Sequence, residues 1–329
     1  MNLPEGIQSR PLTLDDAAEM AVLVAAKAQA DRDGENFSAE DLAEELRRPG
    51  LDLERDTISL WDGDRLVGYG LARVSQTVVD VDRVQTDGAV HPDRRGRGLG
   101  TELVQWLIKR AGELHTATHP EAPGVVGAGA VVTNTGATEL LTGFGFEPVR
   151  YYFDMHRPLD QPVPDVAVAD GLRLVTFDPA YTKELLDAHN ESFSDHWGFT
   201  PRSLEAFQAR VVNSRAFRGG QSYYVLDGDT IATYVNCFEY EAVAEATGVR
   251  ELYVGQVGTR RAYRGRGLAR AALAKVLAEA AQAGYQRAGL GVDADNPTGA
   301  LGLYEKLGFT THQKFVNYQL AIADGVVHS

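Results

Sequence analysis

The fold is decided by the stretch Arg264-Gly265-Arg266-Gly267-Leu268-Ala269. It stands between a predicted strand, residues 250–259, and a predicted amphipathic helix in which Leu273, Val276 and Leu277 share one face. Glycine lets a backbone approach a ligand closely, and the first turn of a helix presents amide N–H groups that have no intrahelical partner. A helix N-terminus of this kind binds phosphate. The stretch therefore predicts a phosphate-binding loop, and a glycine-bearing turn with solvated arginines is the alternative.

The same pattern occurs earlier in the chain as Arg95-Gly96-Arg97-Gly98-Leu99-Gly100. Two further landmarks repeat in the same order, because Asp62-Gly63 returns as Asp227-Gly228, and Phe144-Gly145-Phe146 returns as Leu307-Gly308-Phe309. The offset is 165 residues from Asp62 to Asp227 and 169 residues from Arg95 to Arg264, which is far longer than a solenoid repeat. The chain is therefore predicted to contain a duplicated domain.

The length of 329 residues also suits two domains. A stretch rich in proline, with Pro158, Pro162 and Pro164, separates the two copies and is typical of a semi-rigid linker. We predict an N-terminal domain over residues 1–156, a linker over residues 157–169 and a C-terminal domain over residues 170–329.

Each copy mixes helical and strand patterns. The Asp-Gly turn at Asp227-Gly228 joins two β-branched and aromatic runs, which is a hairpin signal. In the second copy the predicted helices cover residues 180–193, 201–212 and 298–307, and the predicted strands cover residues 222–226, 231–238, 250–259, 288–292 and 314–321. The predicted fold class is α/β, with a mixed sheet and flanking helices in each of two tandem domains.

Composition and charge exclude several classes of protein. Apolar residues make up 44% of the chain and charged residues 24%, which is ordinary globular composition. The formal net charge of −14 is the opposite of what a nucleic-acid binder or an anionic-membrane binder needs. The single cysteine, Cys237, cannot form an intrachain disulfide, and no apolar stretch is long enough to span a bilayer. We expect a cytoplasmic protein with a small-molecule partner, and the oligomeric state stays open.

A second motif, Asn296-Pro297-Thr298-Gly299-Ala300-Leu301-Gly302-Leu303-Tyr304-Glu305-Lys306-Leu307-Gly308-Phe309, follows the glycine loop. Together the two motifs resemble the GNAT superfamily of acyl-CoA-dependent N-acyltransferases, and both occur twice. Two such domains in tandem are similar to mycothiol synthase. The resemblance implies acetyl-CoA as co-substrate, a primary amine of a small molecule as acceptor, and no metal.

The resemblance also implies which residues bind the coenzyme, chiefly through backbone amides that hold its pyrophosphate. In the second copy these are Val257, Gly258, Thr259, Arg264, Gly265, Arg266, Gly267, Leu268, Ala269 and Asn296. In the first copy they are Arg95, Gly96, Arg97, Gly98 and Gly100.

Tyr304 is the predicted general acid. Acyl transfer from a thioester needs a proton for the departing thiolate, and a phenol can donate one while staying neutral at pH 7. The alternative is a tyrosine that packs beside Leu303 and Leu307. Leu141 stands at the corresponding position of the first copy and cannot donate a proton. We therefore predict a catalytic C-terminal domain and an N-terminal domain that is structural or holds coenzyme.

Glu251 is the predicted general base. It lies two residues further from the loop than the usual carboxylate of the family, whose position is taken by Tyr253, but the shift keeps the same face of the strand. A surface glutamate at the start of a strand, or a base that is a water held by several groups, are the alternatives. Asp82 is the matching residue of the first copy.

The segment Phe193-Ser194-Asp195-His196-Trp197-Gly198-Phe199 is the predicted acceptor site. Asp195, His196 and Trp197 offer a carboxylate, an imidazole and an indole, which suit a cationic or aromatic amine. The alternative is a loop whose Trp197 fills the core and whose Asp195 caps a turn. The comparable stretch of the first copy, Arg32-Asp33-Gly34-Glu35-Asn36-Phe37, lacks this motif.

Other chemistry is less well supported. His115 and His119 have the spacing of metal ligands on a helix, but no third ligand is evident and a surface helix end is favoured. Two other functions stay open: a non-catalytic acyl-CoA-binding or sensor module, and a structural or assembly protein with vestigial glycine loops.

Overall fold

The computed structural model describes residues 1–322 apart from 165, 167, 169, 297 and 298. The chain divides into two compact units, Met1–Tyr151 with Lys314–Ser329, and Tyr152–Gln313. The mixed α/β class and the tandem arrangement are as predicted.

The first unit is built around one sheet with helices against it. Its strands are β1 Ile7–Arg10, β2 Thr57–Asp62, β3 Arg65–Arg73, β4 Asp82–Val90 and β5 Gly124–Val131, and its helices are α1 Ala17–Asp31, α2 Ala39–Leu46, α3 Leu53–Asp56, α4 Leu99–Thr118 and α5 Thr135–Gly143. The second unit repeats this plan. It holds β7 Arg173–Thr176, β8 Tyr223–Asp227, β9 Thr230–Phe238, β10 Glu251–Thr259 and β11 Arg287–Asp293, with α6 Thr182–Phe193, α7 Leu204–Phe207, α8 Glu241–Thr247, α9 Leu268–Gln282 and α10 Ala300–Lys306.

The remaining two strands depart from the predicted domain division. Strand β6, Glu147–Pro158, crosses into the second unit and pairs with β11, whereas β12, Thr310–Ala321, crosses into the first unit and pairs with β5. The sheet order is therefore β1-β2-β3-β4-β5-β12 in the first unit and β6-β11-β10-β9-β8-β7 in the second. Each unit thus takes one strand from the other half of the sequence. Local pattern predicts a strand but not its partner, so the sequence does not indicate that β6 pairs with β11 or that β12 pairs with β5.

The start of the predicted linker also differs from expectation. Arg157 and Pro158 are the last residues of β6, and the Arg157 side chain is 1% exposed. Its Nε donates to the Leu307 carbonyl at 2.6 Å, and its Nη atoms donate to the carbonyls of Pro158, Gln161 and Pro162. A buried guanidinium with carbonyl partners therefore fixes the first part of this segment against the second unit.

One parallel strand pair in each unit separates part of the way along. In the first unit β4 pairs with β5 only from Asp82 to Gln85, and in the second unit β10 pairs with β11 only from Glu251 to Val254. A register shift between Val254 and Gln256 bends β10 at this point. After Gln85 in β4 and after Val254 in β10, the backbone groups that face the neighbouring parallel strand have no partner in the ladder. The two glycine loops follow the ends of β4 and β10.

Candidate functional site

The glycine loop of the second unit has the predicted form of an anion site. Gly265 and Gly267 have φ of 75° and 76°, and Gly267 is the N-cap of α9. The first intrahelical bond runs from Ala271 N–H to the Gly267 carbonyl at 3.1 Å, so the amides before it lack an intrahelical carbonyl. A Cβ added at either glycine would meet no atom within 4 Å. The glycines therefore serve the left-handed backbone, and the space beside each of them is open.

The loop of the first unit has the same geometry. Gly96 and Gly98 have φ of 73° and 83°, and Gly98 is the N-cap of α4. Glu102 N–H donates to the Gly98 carbonyl at 3.1 Å, which repeats the bond at the start of α9. Gly100 differs from Gly96 and Gly98, because a Cβ there would lie 3.0 Å from the Leu140 side chain. The lack of a side chain at Gly100 lets α4 and α5 approach each other.

Asp195 is placed by the structure against the loop arginines. Its carboxylate lies 2.5 Å from Arg261 Nη2 and 3.0 Å from Arg264 Nη1. Hydrogen bonds from Arg264 and then Arg261 hold the pKa of this carboxyl below its usual value. Arg264 also donates to the carbonyls of Ser192 and Thr259. Both Asp195 and Arg264 therefore stabilise the loop, whereas Arg266 is exposed and stacks over the Tyr263 ring at 5.3 Å.

An equivalent pair forms in the first unit. Arg95 makes two hydrogen bonds to Asp31 at the end of α1, of 2.6 and 2.8 Å, and Asn134 donates to the same carboxylate at 3.0 Å. Arg97 is exposed, like Arg266. In both units one arginine anchors the loop and a second faces solvent.

The strand residues before the second loop are largely structural. Tyr234 packs so closely on Gly258 that a Cβ there would lie 2.3 Å from its ring, and Val257 packs against the core of the unit. Thr259 and Thr233 join their hydroxyls across the paired strands. The sequence predicts that these positions bind coenzyme, and packing accounts for Gly258 without a ligand.

Tyr304 lies on α10 within the hydrophobic core of the second unit. Its side chain is 7% exposed, and its ring makes an edge contact with Phe309 at 6.0 Å. Burial raises the pKa of the Tyr304 phenol well above its usual value. The phenol is therefore neutral at physiological pH, as both the catalytic and the packing interpretations require. Leu141, its counterpart in the first unit, is buried and lines a cavity beside the glycine loop.

Glu251 joins a cluster of charged and imidazole side chains on one face of the second unit. Its Oε2 accepts from Arg287 Nε at 2.5 Å and lies 3.6 Å from His156 Nε2. The same His156 nitrogen lies 3.0 Å from Asp154, and the two rings of His156 and His312 stack at 4.3 Å. The predicted base is therefore held by a guanidinium and faces an imidazole. No motif of the sequence indicates this cluster, because Asp154 and His156 lie on β6, whose pairing with β11 is not visible in a local pattern.

Glycines on β11 make room for this arrangement. A Cβ at Gly289 would lie 2.8 Å from the Glu251 carboxyl, and a Cβ at Gly291 would lie 3.2 Å from Tyr253 Oη. Glu251 and Tyr253 thus reach across the neighbouring strand, on the face opposite to Leu252 and Val254, which pack in the core with α9. The glycine-bearing sequence of β11 is the signal that indicates such a crossing.

His196 and Asn296 come together as neighbours. Asn296 Nδ2 lies 3.4 Å from His196 Nε2, and the His196 ring stacks on Phe193 at 4.5 Å. Burial lowers the pKa of His196 below its usual value. Trp197 is partly buried beside it. The N-cap of α10 is Gly299, with φ of 71°, and Asn296 lies beside the loop residue His196.

His115 and His119 do not form a surface pair. His115 is buried with its Nδ1 2.8 Å from Asp82, and His119 Nε2 lies 2.8 Å from the Ser75 carbonyl. The helix ends there as expected, since His119 is the C-cap of α4, but His115 packs inward instead of lying on the surface. Among the described residues no group of three metal-ligating side chains is placed to hold a metal ion, and no helix there is long and apolar enough to cross a membrane.

The sequence and the fold are both similar to those of known acetyltransferases. A family model described as acetyltransferase (GNAT) family matches residues 25–146 and 182–309. The chain is 31% identical to a mycothiol acetyltransferase of Thermobispora bispora over 91% of this chain and 95% of the relative. A crystal structure of a GCN5-related N-acetyltransferase from Sphaerobacter thermophilus has a TM-score of 0.76 at 28% identity and covers 99% of this chain and 98% of that one. A tandem GNAT protein from the clavulanic acid biosynthesis pathway shares the fold, with a TM-score of 0.72 at 18% identity over 96% of this chain and 99% of that one.

Proposed function

The chain belongs to the acetyltransferase (GNAT) family and is an N-acetyltransferase, and we propose that it transfers the acetyl group of acetyl-CoA to a primary amine of a small molecule, with the chemistry in the C-terminal unit. The observation that carries the proposal is the glycine loop at the N-terminus of α9, directly after the strand that separates from β11. Open amides at a helix N-terminus suit a pyrophosphate, and unpaired strand edges suit an extended pantetheine arm.

The loop supplies both charge and backbone donors. The amides at the start of α9, before Ala271, have no intrahelical carbonyl, and the exposed Arg266 adds a cation in a chain of net charge −14. Arg264 is already satisfied by Asp195 and by two backbone carbonyls, so its proposed part is to hold the loop rather than to contact phosphate. The proposed coenzyme contacts are therefore the amides first and Arg266 second.

Tyr304 is the proposed proton donor. The neutral amine attacks the thioester carbonyl carbon, a C–N bond forms and the C–S bond breaks. The thiolate takes the phenolic proton, and the proton that the nitrogen loses on becoming an amide restores the phenol. Burial raises the pKa of the phenol, which by itself disfavours the transfer. The same surroundings also raise the pKa of a thiol, because both anions lose solvation. The two shifts offset each other when the sulfur lies in the same apolar site.

Glu251 is the proposed acceptor of the ammonium proton. Its carboxylate is on β10, the strand whose pairing with β11 ends at Val254. The partners Arg287 and His156 fix its position, at 2.5 and 3.6 Å. Removing a proton from the ammonium before attack is the step that supplies the neutral nucleophile.

The first unit is proposed to hold coenzyme without catalysing transfer. Its loop, with Gly96, Gly98 and the anchored Arg95, repeats the geometry of the second loop. Leu141 replaces the tyrosine and offers no proton, which supports the division of roles between the units.

The acceptor is proposed to belong to the small amines, and the name of the Thermobispora bispora relative makes the amine precursor of mycothiol the first compound to test. The test is a thiol-release assay with acetyl-CoA against a panel of amines that also includes amino acids, polyamines and aminoglycosides. The blank is a folded variant carrying Gly98→Asp and Gly267→Asp. Amine-dependent release that the blank lacks supports the proposal, and release of thiol by no amine at any pH tested contradicts it.

A further inference from the structure

Strand β10 carries an irregularity at the point where it leaves β11. Its pairing with β9 shifts register between Val254 and Gln256, so Gly255 is an extra residue on this strand. A Cβ at Gly255 would lie 2.6 Å from the Phe238 ring, so the position requires glycine. A bulge of this kind changes the face to which the following side chains point.

Gln256 is turned to the same face of the sheet as the proposed base, Glu251. Leu252 and Val254 pack in the core with α9, and strict alternation would send Gln256 to that side too. The bulge instead sets Gln256 opposite Asn236 of β9, and Asn236 Nδ2 donates to Gln256 Oε1 at 2.9 Å. Asn236 is fully buried, and its two neighbours in β9 pack in the core with α9, so both amides lie on the other face.

A buried tyrosine fixes the direction of these hydrogen bonds. Tyr224 Oη donates to Asn236 Oδ1 at 3.0 Å, and both side chains are fully buried. Burial raises the pKa of the Tyr224 phenol well above its usual value, so the hydroxyl keeps its proton and needs an acceptor. Asn236 therefore turns its oxygen to Tyr224 and its nitrogen to Gln256. This order makes the amide nitrogen of the half-buried Gln256 the outer end of the chain, with N–H groups to donate.

Gln256 lies where the reacting end of the coenzyme belongs in the proposed function. The pyrophosphate is proposed to bind at the loop that begins at Arg264, and the pantetheine arm to follow the open edge of β10 from Thr259 back to Gly255. The edge closes at Val254, where β10 pairs with β11. The thioester at the end of the arm then lies beside Gln256.

The first unit has a carboxylate at the corresponding place. Asp87 stands two residues after the end of the β4–β5 pairing, as Gln256 does after the end of the β10–β11 pairing. Both residues are also eight positions before the first arginine of the following loop. Asp87 accepts a hydrogen bond from Tyr69 Oη at 3.1 Å, but a carboxylate has no N–H and repels a developing oxyanion. The unit with Leu141 in place of the tyrosine therefore also lacks this donor.

We infer that Gln256 is a catalytic residue that donates an N–H hydrogen bond to the thioester carbonyl oxygen of acetyl-CoA. The inference rests on the proposed function and deepens it, since it assigns an oxyanion donor at the same site. When the amine nitrogen attacks the carbonyl carbon, the C=O π electrons move to the oxygen, and the Gln256 amide stabilises that charge without transferring a proton. The C=O bond re-forms as the C–S bond breaks. Asn236 and Tyr224 are positioning residues, because they fix the amide that donates.

The first test needs no turnover and is infrared difference spectroscopy of bound acetyl-CoA labelled with carbon-13 at the acetyl carbonyl. Every sample carries Gly98→Asp, so that coenzyme is held by the second unit alone. A hydrogen bond to the carbonyl oxygen polarises the C=O bond, so we expect a lower stretching frequency for bound than for free acetyl-CoA. Gln256→Met should abolish this shift, whereas Gln282→Met, at the exposed end of α9, should keep it.

The second test is the rate of amine-dependent thiol release. Gln256→Met and the isosteric Gln256→Glu should each lower kcat about 10²- to 10³-fold, the range for loss of one oxyanion donor, with little change in coenzyme affinity. Tyr224→Phe keeps Gln256 but no longer fixes the direction of its amide. It should cost less in kcat and still weaken the infrared shift, which a purely structural role would not change.

The outcomes separate this inference from the proposed function. Binding of acetyl-CoA with an unchanged C=O frequency in Gln256→Met and Gln256→Glu, both with wild-type melting temperatures, would overturn the inference alone. Failure of acetyl-CoA to bind the Gly98→Asp protein would contradict the inference and the proposed function together. Gln256→Glu keeps the shape of the side chain and gives the same comparison if Gln256→Met does not fold.

Discussion

Asp31 and Arg95 are joined by two parallel hydrogen bonds of 2.6 and 2.8 Å, and Asp195 meets Arg264 in the corresponding place of the second unit. In each unit a carboxylate at the end of the first long helix thus anchors the first arginine of the glycine loop. Of the two arginines in each loop that the sequence predicts for coenzyme, the first pairs with a carboxylate of the protein. The amides and the next arginine are what remain for a ligand.

The two loops share this geometry but are expected to differ in function. Gly267→Asp places a side chain and a negative charge in front of the amides of α9 and should abolish acetyl transfer. Gly98→Asp makes the same change at α4 and should leave most transfer intact, since Leu141 gives that unit no acid. Steady-state rates of the two folded variants check this. The reverse pattern would assign catalysis to the first unit.

Removing the Tyr304 hydroxyl separates its two interpretations. Tyr304→Phe should lower kcat by about 10²- to 10⁴-fold with little change in coenzyme affinity, as expected for loss of a general acid. The matched control is Tyr223→Phe, a buried tyrosine of the same unit, which should leave kcat unchanged. If both variants turn over normally, Tyr304 is a packing residue.

His189 makes the second unit sensitive to acid. It is 1% exposed, its Nδ1 lies 2.8 Å from Tyr234 Oη, and burial lowers its pKa to about 3. The unfolded chain therefore takes up a proton as the pH falls below about 6.5, while the folded chain does not until about pH 3. His189 therefore leaves the free energy of unfolding unchanged above about pH 6.5 and lowers it progressively as the pH falls below that value.

Urea unfolding at several pH values measures this effect. Between pH 6 and pH 4 the wild type should lose about 1.4 kcal/mol per pH unit through His189 alone. In His189→Gln, whose amide can still bond Tyr234, that part of the slope should disappear. An equal slope in both proteins would show that His189 is not the group responsible.

The buried Arg157 side chain is expected to contribute strongly to the free energy of unfolding. Its guanidinium is buried against four carbonyls, among them that of Leu307. Arg157→Met removes the charge but leaves those acceptors without donors, and should lower the free energy of unfolding by about 2–4 kcal/mol. Exposed Arg173→Met, with its one carbonyl partner, is the comparison and should cost less than about 1 kcal/mol. Equal costs would mean that water replaces the lost donors at Arg157.

The sequence was a good guide to elements whose signal is local. The Asp227-Gly228 turn lies between β8 and β9, and the loop glycines stand at the N-caps of α4 and α9. Turns and helix ends depend on a few neighbouring residues, so they can be predicted from the sequence alone. The predicted helix over residues 201–212 was less accurate, because α7 ends at Phe207 and a wider helical turn continues to Val212.

The sequence could not predict which side chains meet across the sheet. His156 faces Glu251 because β6 pairs with β11, and β11 pairs with β10, in a register that no local pattern specifies. Asp195, which the sequence predicts to contact the acceptor amine, pairs with arginines that lie 66 and 69 residues later. Contacts between residues so far apart in sequence depend on the tertiary fold. The glycine loop, in contrast, is recognised from a few neighbouring residues.

The last prediction concerns the proton taken from the acceptor amine. Glu251 is held by Arg287 at 2.5 Å and faces His156, which also contacts Asp154 at 3.0 Å. Glu251→Gln keeps the shape of the side chain but cannot accept the proton, so kcat/KM should fall about 10²-fold or more while coenzyme affinity stays the same. His156→Gln leaves the carboxylate in place and should cost less, because His156 positions Glu251 in this proposal. A larger loss of kcat/KM in His156→Gln than in Glu251→Gln would identify the imidazole as the base. Near-normal rates in both variants would mean that water accepts the proton.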